Sequence, residues 1–346
     1  MKKNLLIIFI AIVLMGSVYV SVEMLVPVPG GNRNVEIEIP EGASFKQAIE
    51  ILHSQKLIRD KNIFLLIGRL TGTDRKIRAG YYSVYGSMNP FDLFRMLRKG
   101  QIIEYEVTIP EGDSLMEIAQ KLSEKGIINT KDFMQLSSDE DFLFSYDIDA
   151  PTFEGYLFPD TYKIPKGMDP EEAIGMMINK MREKFSDELI VRVSELGMSE
   201  REVLTLASII EKEAVTDEER PLISAVYHNR LRKGIPLQAD PTAIYGMKSS
   251  REKITAKDLK RKSPYNTYVI KGLPPGPIAS PGLKSIIAAL HPADVPYLYF
   301  VSNNDTTHHF SVTAEEHLSA VKLYREKKQI ENKEKIEKYT EKNGSS

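Results

Sequence analysis

Hydrophobic and polar positions follow three different rhythms along the chain. The first is unbroken. Asn4 to Val22 carries no charge, and Leu5 to Val22 is almost wholly apolar. As a helix, that run spans roughly 27 Å, close to the hydrocarbon thickness of a bilayer. Lys2 and Lys3 precede it and Glu23 follows. The positive-inside rule then leaves the rest of the chain outside the cytoplasm. A cleaved signal peptide has a shorter apolar stretch and an A-x-A-like site, and none stands around Gly16 to Val22. The expectation is a retained anchor over residues 1–22, single-pass in the cell membrane with its N-terminus cytoplasmic. Residues 23–34, with Pro27, Pro29, Gly30 and Gly31, read as a linker.

The second rhythm is alternation, and it occurs twice. Val35–Ile39 and Tyr105–Ile109 each read as a strand, and each runs into the same phrase. Ile39-Pro-Glu-Gly-Ala-Ser44 recurs as Ile109-Pro-Glu-Gly-Asp-Ser114. Ser44 with Gln47, and Ser114 with Glu117, form capping boxes that open helices. Ala48, Ile49 and Leu52, then Ile118, Ala119 and Leu122, supply helical spacing. Two copies suggest duplication of a small α+β unit rather than a solenoid, which needs more repeats.

The third rhythm is helical. A helix is expected from about Pro170 to Ser186. Ser199 and Glu202 form a box opening a helix through about Ala214. Another runs from about Glu218 to Arg232 and stops at Gly234. Residues 263–282 are rich in Pro and Gly and form a shaped loop. Leu283–Leu290 is a short helix, Pro296–Ser302 a buried strand, and Thr313 with Glu316 caps a last helix. The tail beyond Arg325 is a charged, solvated helix with Glu331–Lys335 and Glu334–Lys338 spaced for i,i+4 pairing. The fold class is therefore α+β. Beyond the anchor and linker, the expected segments are 35–104 and 105–190 as α+β units, 191–325 as the catalytic domain, and 326–346 as the tail.

Composition narrows the chemistry. With 346 residues the chain is long enough for about two domains with real cores. Its net charge of -2 argues against a nucleic-acid binder. The absence of cysteine removes disulfides, thiol nucleophiles and thiolate metal sites. Tryptophan is absent too, so sugar stacking would fall to the 16 Tyr and 13 Phe. A nucleophile elbow, a P-loop and a dinucleotide fingerprint are missing. His308, His309 and His317 lack zinc spacing and suit hydrogen-bonding roles. No metal or cofactor is expected.

On the helix 199–214, Val203, Leu204, Ala207, Ile210 and Ala214 make one apolar stripe. Glu211 lies about 50° from its centre and Glu213 well over 100° away. This phase places Glu211 at the edge of the buried face, and Glu213 and Lys212 toward solvent. A carboxyl pressed against apolar neighbours holds its proton more tightly, as a general acid must. The structural alternative is a boundary carboxylate paired with an arginine such as Arg230. Asp240 before Pro241 reads as an N-cap with proline at N1, ahead of a second catalytic carboxylate. Gln238 beside that helix start could hydrogen-bond a sugar hydroxyl or acetamido group. Tyr265-Asn266-Thr267-Tyr268 suits a glycan, or equally an ordinary edge strand.

These motifs, in this order, resemble the endolytic murein transglycosylases, a YceG-like family of bacterial membrane proteins. The carriers are Glu154-Gly-Tyr-Leu-Phe-Pro-Asp-Thr-Tyr162, Ala207-Ser-Ile-Ile-Glu-Lys-Glu213, Asn229-Arg-Leu231, Leu237-Gln-Ala-Asp-Pro-Thr242, Tyr265–Tyr268, Gly272-Leu-Pro-Pro-Gly276 and His291-Pro292. The resemblance implies an anchor, a LysM-like N-terminal region and a domain that cleaves nascent peptidoglycan. It implies Glu211 as the catalytic acid/base. It further implies substrate contacts from Glu154, Asn229, Gln238, Asp240, Tyr265, Asn266 and Thr267. Peptidoglycan glycan strands, the bacterial membrane and peptidoglycan synthases are the implied partners. The family carries more tryptophan in the 154–162 motif, where this chain has Leu and Phe. Two rivals stand beside this reading: a hydrolytic muramidase with Asp240 or Glu154 as second carboxylate, and a wall-binding scaffold without activity.

Overall fold

The structure is a computed structural model that describes residues 2–28, 34–85, 87–247 and 254–343. Part of the expected linker, residues 29–33, lies outside the described residues, as do the side chains of the proposed Glu–Lys pairs in the tail. The fold is mixed α+β. The chain divides into two compact units: Met1–Glu106 with Tyr162–Asp169, and Val107–Thr161 with Pro170–Ser346. Segments 107–161 and 170–190, assigned above to a separate subdomain, therefore cluster with the expected catalytic segment.

The first unit opens with α1 (Lys2–Leu25). Its apolar side chains are exposed from Leu5 to Val22, and Met24 is buried in the core of the unit. α1 is the one described helix long and apolar enough to cross a membrane. After it come β1 (Val35–Ile39), α2 (Phe45–Ser54), α3 (Lys61–Thr71), β2 (Gly80–Val84) and α4 (Pro90–Lys99). β1 pairs antiparallel with β2, with Ile37 opposite Tyr82. Alternation sends Ile37 and Ile39 inward, against Ala48, Ile49 and Leu52 from α2.

β3 (Glu104–Thr108) starts the second copy of the repeat and pairs with β4 (Thr161–Pro165). Between them lie α5 (Leu115–Glu124), α6 (Thr130–Leu136) and α7 (Glu140–Ser145). Both copies thus run strand, helices, strand. Both capping boxes form as read: Ser44 with Gln47, and Ser114 with Glu117.

The rest of the second unit is largely helical. It comprises α8 (Pro170–Lys184), α9 (Asp187–Glu195), α10 (Glu200–Glu213), α11 (Arg220–Lys233), the short α12 (Asp240–Ile244) and α13 (Ala256–Leu259), then α14 (Leu283–Leu290). β5 (Tyr299–Ser302) and β6 (His308–Ser311) form an antiparallel hairpin, and α15 (Ala314–Asn343) closes the chain. The Ser199–Glu202 box caps α10, and Gly234 ends α11 in the left-handed conformation. The strand expected over Pro296–Ser302 is shorter, and its residues are half-buried rather than buried.

α10 is the core helix. Every residue from Val203 to Ile210 is at most 1% exposed. Each fully buried Val, Leu or Ile there contributes roughly 1.5–3 kcal/mol of transfer free energy. A helix buried on all faces has no outward side along that stretch. The apolar stripe read from the sequence was therefore only part of its buried surface.

Candidate active site

The candidate site forms where the C-terminal end of α10 meets two loops. The first loop is the second copy of the repeated phrase, Pro110–Asp113. Gly112 takes φ +82°, a conformation that glycine tolerates and other residues rarely adopt. Gly112 N–H donates to the Ser280 carbonyl and Ser280 N–H to the Asp113 carbonyl, both at 2.8 Å. This two-bond clamp joins the first loop to the end of the Pro/Gly loop. The Ser208 hydroxyl accepts from Ile278 N–H at 3.0 Å, fastening that loop to α10. Lys212 does not point outward as expected. Its ammonium donates to the Gly112 carbonyl at 3.0 Å, because the loop supplies a carbonyl where solvent was assumed.

Glu211 sits inside this frame with its side chain 7% exposed. One carboxylate oxygen accepts from Gly282 N–H at 3.0 Å, and the other from Arg220 Nη1 at 3.2 Å. Its neighbours are therefore a guanidinium and a backbone amide, not only the apolar stripe. The pairing alternative named the wrong arginine. Arg230 instead donates to the carbonyls of Leu298, Pro236 and Leu237 and to Gln238 Oε1. Arg220 also bonds Asp217 and Ser285, and Asp217 pairs with Lys284. Arg220 opens α11, where a cation opposes the helix dipole. That misplaced charge was the sequence signal that could have found it.

Glu111 is the second carboxylate here. A Cβ on Gly282 would fall 2.0 Å from Glu111 Oε1, so the carboxylate lies directly on the glycine. Partial desolvation pushes the carboxyl of the otherwise exposed Glu111 above its ordinary value, and the charge of Glu211 adds to this while Arg220 and Lys284 oppose it. In the sequence the repeated phrase signals only a strand and a capped helix, which gives Glu111 no functional mark.

Glu213, expected toward solvent, is half-buried. Burial pushes its carboxyl up to about 8, with the Asp240 charge adding. The Tyr227 hydroxyl lies near enough to oppose this, although it makes no well-formed hydrogen bond. The physical reason is that α11 and the Asp240 segment cover the face of α10 that the stripe left open.

The other sequence-derived candidates fall into two groups. Glu154 is 2% exposed; its oxygens accept from Leu115 N–H at 3.0 and 3.2 Å and from the Tyr245 hydroxyl at 2.8 Å. Burial pushes it up to about 7 against those bonds. It closes the start of α5 from inside. Asn229 donates to the carbonyls of Val295 and Tyr297. Asn266 donates to those of Leu259 and Arg261. Thr267 accepts from Ala239 N–H and bonds the Thr242 hydroxyl. These four are buried, and their polar atoms serve the backbone around the site.

Gln238, Asp240 and Tyr265 remain reachable. Gln238 is exposed with φ +52°, a left-handed strain of roughly 1–2 kcal/mol for a residue with a Cβ. Tyr265 packs on Tyr245 with ring centroids 4.6 Å apart. The 265–268 stretch is a turn rather than an edge strand. Asp240 is not the N-cap. Ala239 holds that position with no side-chain cap, and the Asp240 carboxylate accepts from the Tyr268 hydroxyl instead. Asp240→Asn keeps that acceptor, so its stability should stay within about 0.5 kcal/mol of wild type. Asp240→Ala should cost about 1 kcal/mol for the lost bond. Chemical denaturation of both variants checks this; equal losses would mean that the charge, not the hydrogen bond, matters.

His308 bonds Glu219 through Nδ1 at 2.7 Å. Among the described residues no group of three or more His, Cys, Asp or Glu is arranged to hold a metal ion. The Gly272–Pro275 motif lines a separate cavity of about 660 Å³ with Arg201, His228 and Arg232.

Residues 37–323 match the YceG-like family. The chain belongs to the YceG-like family. Relatives within reach of this family bear one name, endolytic murein transglycosylase. The Bacillus subtilis protein is 32% identical over 309 residues, covering 84% of each chain. A Streptococcus pneumoniae protein is 31% identical over 314 residues, which are 81% of this chain and 56% of that protein. The crystal structure of a yceG-like protein from Listeria monocytogenes is similar at 33% identity and a TM-score of 0.58. It covers 83% of this chain and 98% of that one.

Proposed function

We propose that this YceG-like protein is an endolytic peptidoglycan transglycosylase that cleaves MurNAc–GlcNAc bonds, with Glu211 as its acid/base. The observation that carries the reading is the setting of Glu211: a scarcely exposed carboxylate at the end of the core helix, held by Arg220 and Gly282 N–H. Glu211 gives its proton to the glycosidic oxygen as the C1–O bond breaks, and an oxocarbenium-like centre develops at C1 of MurNAc. The sugar's own 6-hydroxyl then bonds C1 and returns its proton to Glu211. The products are a free GlcNAc hydroxyl and a 1,6-anhydroMurNAc end. An intramolecular nucleophile needs no captured water, and its orientation is already set.

Around this step, Gln238, Asp240 and Tyr265 are the reachable groups that would contact the glycan. Glu154, Asn229, Asn266 and Thr267 keep their place in the proposed site as its inner support. The first strand–helices–strand copy would serve as the LysM-like, wall-facing element. α1 would tether the chain to the cell membrane, with the second unit outside it. Cleavage there would release nascent strands and end their elongation, beside the synthases that make them.

Two observations favour variants of this reading. Glu111 beside Glu211 supplies the second carboxylate a hydrolytic muramidase needs to activate water. Glu213, half-buried and pushed up to about 8 by desolvation, is an alternative acid. Digestion of purified uncrosslinked glycan strands in ¹⁸O-water, with mass analysis of the new ends, separates them. Anhydro ends without ¹⁸O are expected. Reducing ends that carry ¹⁸O would establish hydrolysis, and intact strands would leave only the scaffold reading.

A further inference from the structure

Glu111 and Glu211 approach the same glycine from two sides. Glu211 takes the Gly282 N–H at 3.0 Å, while Glu111 fills the space where a Cβ of residue 282 would stand. The approach is built into the fold rather than left to a free side chain. Gly112, next to Glu111, is clamped to Ser280 and held through its carbonyl by Lys212, the neighbour of Glu211. A Cβ on Gly112 would itself come within 3.8 Å of Glu211 Cγ. Glu111 is exposed, so its carboxylate could move to solvent at little cost. Its position against a like charge therefore calls for a reason.

Arg220 provides it. A general acid must hold a proton before reaction, and the Arg220 guanidinium sets a positive charge 3.2 Å from this carboxyl. A second carboxylate has the opposite effect, and two carboxylates in one place hold a proton jointly. Among the described residues the charged groups around the pair are Lys212 from α10, Asp217, Arg220 from α11 and Lys284 from α14. Asp217 takes bonds from Arg220 and Lys284, which leaves Glu111 as the anion with no ion pair among the described residues. Its carboxyl is raised by partial desolvation and then by the charge of Glu211, in agreement with a shared proton.

We propose that Glu111 is a positioning residue for the reaction, a second carboxylate set against Glu211 across Gly282 that offsets Arg220 and keeps the transferable proton on the pair. This rests on the reading of Glu211 as the acid/base.

The sign follows directly. Removing the negative charge of Glu111 leaves Arg220 unopposed, so the pair loses its proton at lower pH. The high-pH limb of the rate profile then moves down.

The test uses the full chain in detergent with uncrosslinked glycan strands, reading anhydro ends between pH 4 and 9. Glu111→Gln should lower kcat about tenfold at neutral pH, with KM within about threefold. Its high-pH limb should fall by about one unit. Glu111→Asp keeps the charge and should return the limb most of the way. Thermal melting of each variant separates loss of folding from loss of rate. A Glu111→Gln profile that superimposes on wild type overturns the inference, and so does a uniform loss with the limb unmoved. Glu211→Gln is run beside them. If it stays active, the reading of Glu211 fails. If it is dead while the Glu111→Gln limb is unmoved, only the role given to Glu111 fails.

Discussion

Glu211→Gln should lose at least ~10²–10⁴-fold in the rate of forming anhydro ends, the contribution of general acid–base catalysis. Glutamine keeps the shape and one of the two acceptors, for Arg220 or for Gly282 N–H, and turns its NH2 toward the other donor, so thermal melting of the variant accompanies the rate. What it removes is the proton. Glu213→Gln is the matched control and should remain within about tenfold of wild type. Both residues close the same helix, Glu211 with its side chain 7% exposed and Glu213 half-buried. They differ in what surrounds them. Glu211 faces the clamped loops and a network of Arg220, Asp217 and Lys284. Glu213 faces Tyr227 and Asp240, inside the packing of α10. A Glu213→Gln protein that melts normally but is dead, beside an active Glu211→Gln, would transfer the acid/base role to Glu213.

The contrast between these two glutamates shows where sequence reasoning reached its limit. Local signals were legible. The boxes at Ser44, Ser114 and Ser199 form because each pairs neighbours three residues apart, and such geometry does not depend on distant packing. The α14 boundaries and the end of α11 at Gly234 were legible for the same reason. The face occupied by Glu213 was not. An apolar stripe predicts full exposure only for a helix with one covered side, and α10 is covered all round from Val203 to Ile210, with Glu213 half-buried just beyond. The Asp240 cap failed by one residue, since the tyrosine that takes its carboxylate lies 28 positions away. Glu111 and Arg220 are brought to Glu211 from 100 and nine positions away. Nothing in local spacing carries the first of these. The second left a trace, a cation at the start of a helix.

Stability of the second unit should fall as pH rises from about 6.5 to 8.5. In that unit Glu154 is buried and Glu213 half-buried, and desolvation pushes them up to about 7 and about 8. In the unfolded chain each has an ordinary carboxyl that is already ionised by pH 6. The folded state therefore binds more protons than the unfolded state across this window. Linkage then makes unfolding easier with increasing pH. The stabilisation is complete below the unfolded value and is lost as pH climbs through the folded values. His228 and His317 have the opposite sign, because burial lowers both. Their effect is half complete at about pH 6.5 and finished by about pH 7.5, where the unfolded imidazole has lost its proton. The two carboxyls outweigh it across the window, with a combined cost on the order of a few kcal/mol. For a unit of this size that is a drop of about 5–10 °C in melting temperature. Scanning calorimetry at half-unit steps reads it directly. Glu213→Gln and Glu154→Gln should each flatten the slope, because an amide has no proton to lose. A melting temperature that holds steady or rises across the window, or variants that keep the wild-type slope, would show that these carboxyls do not carry their protons in the folded protein.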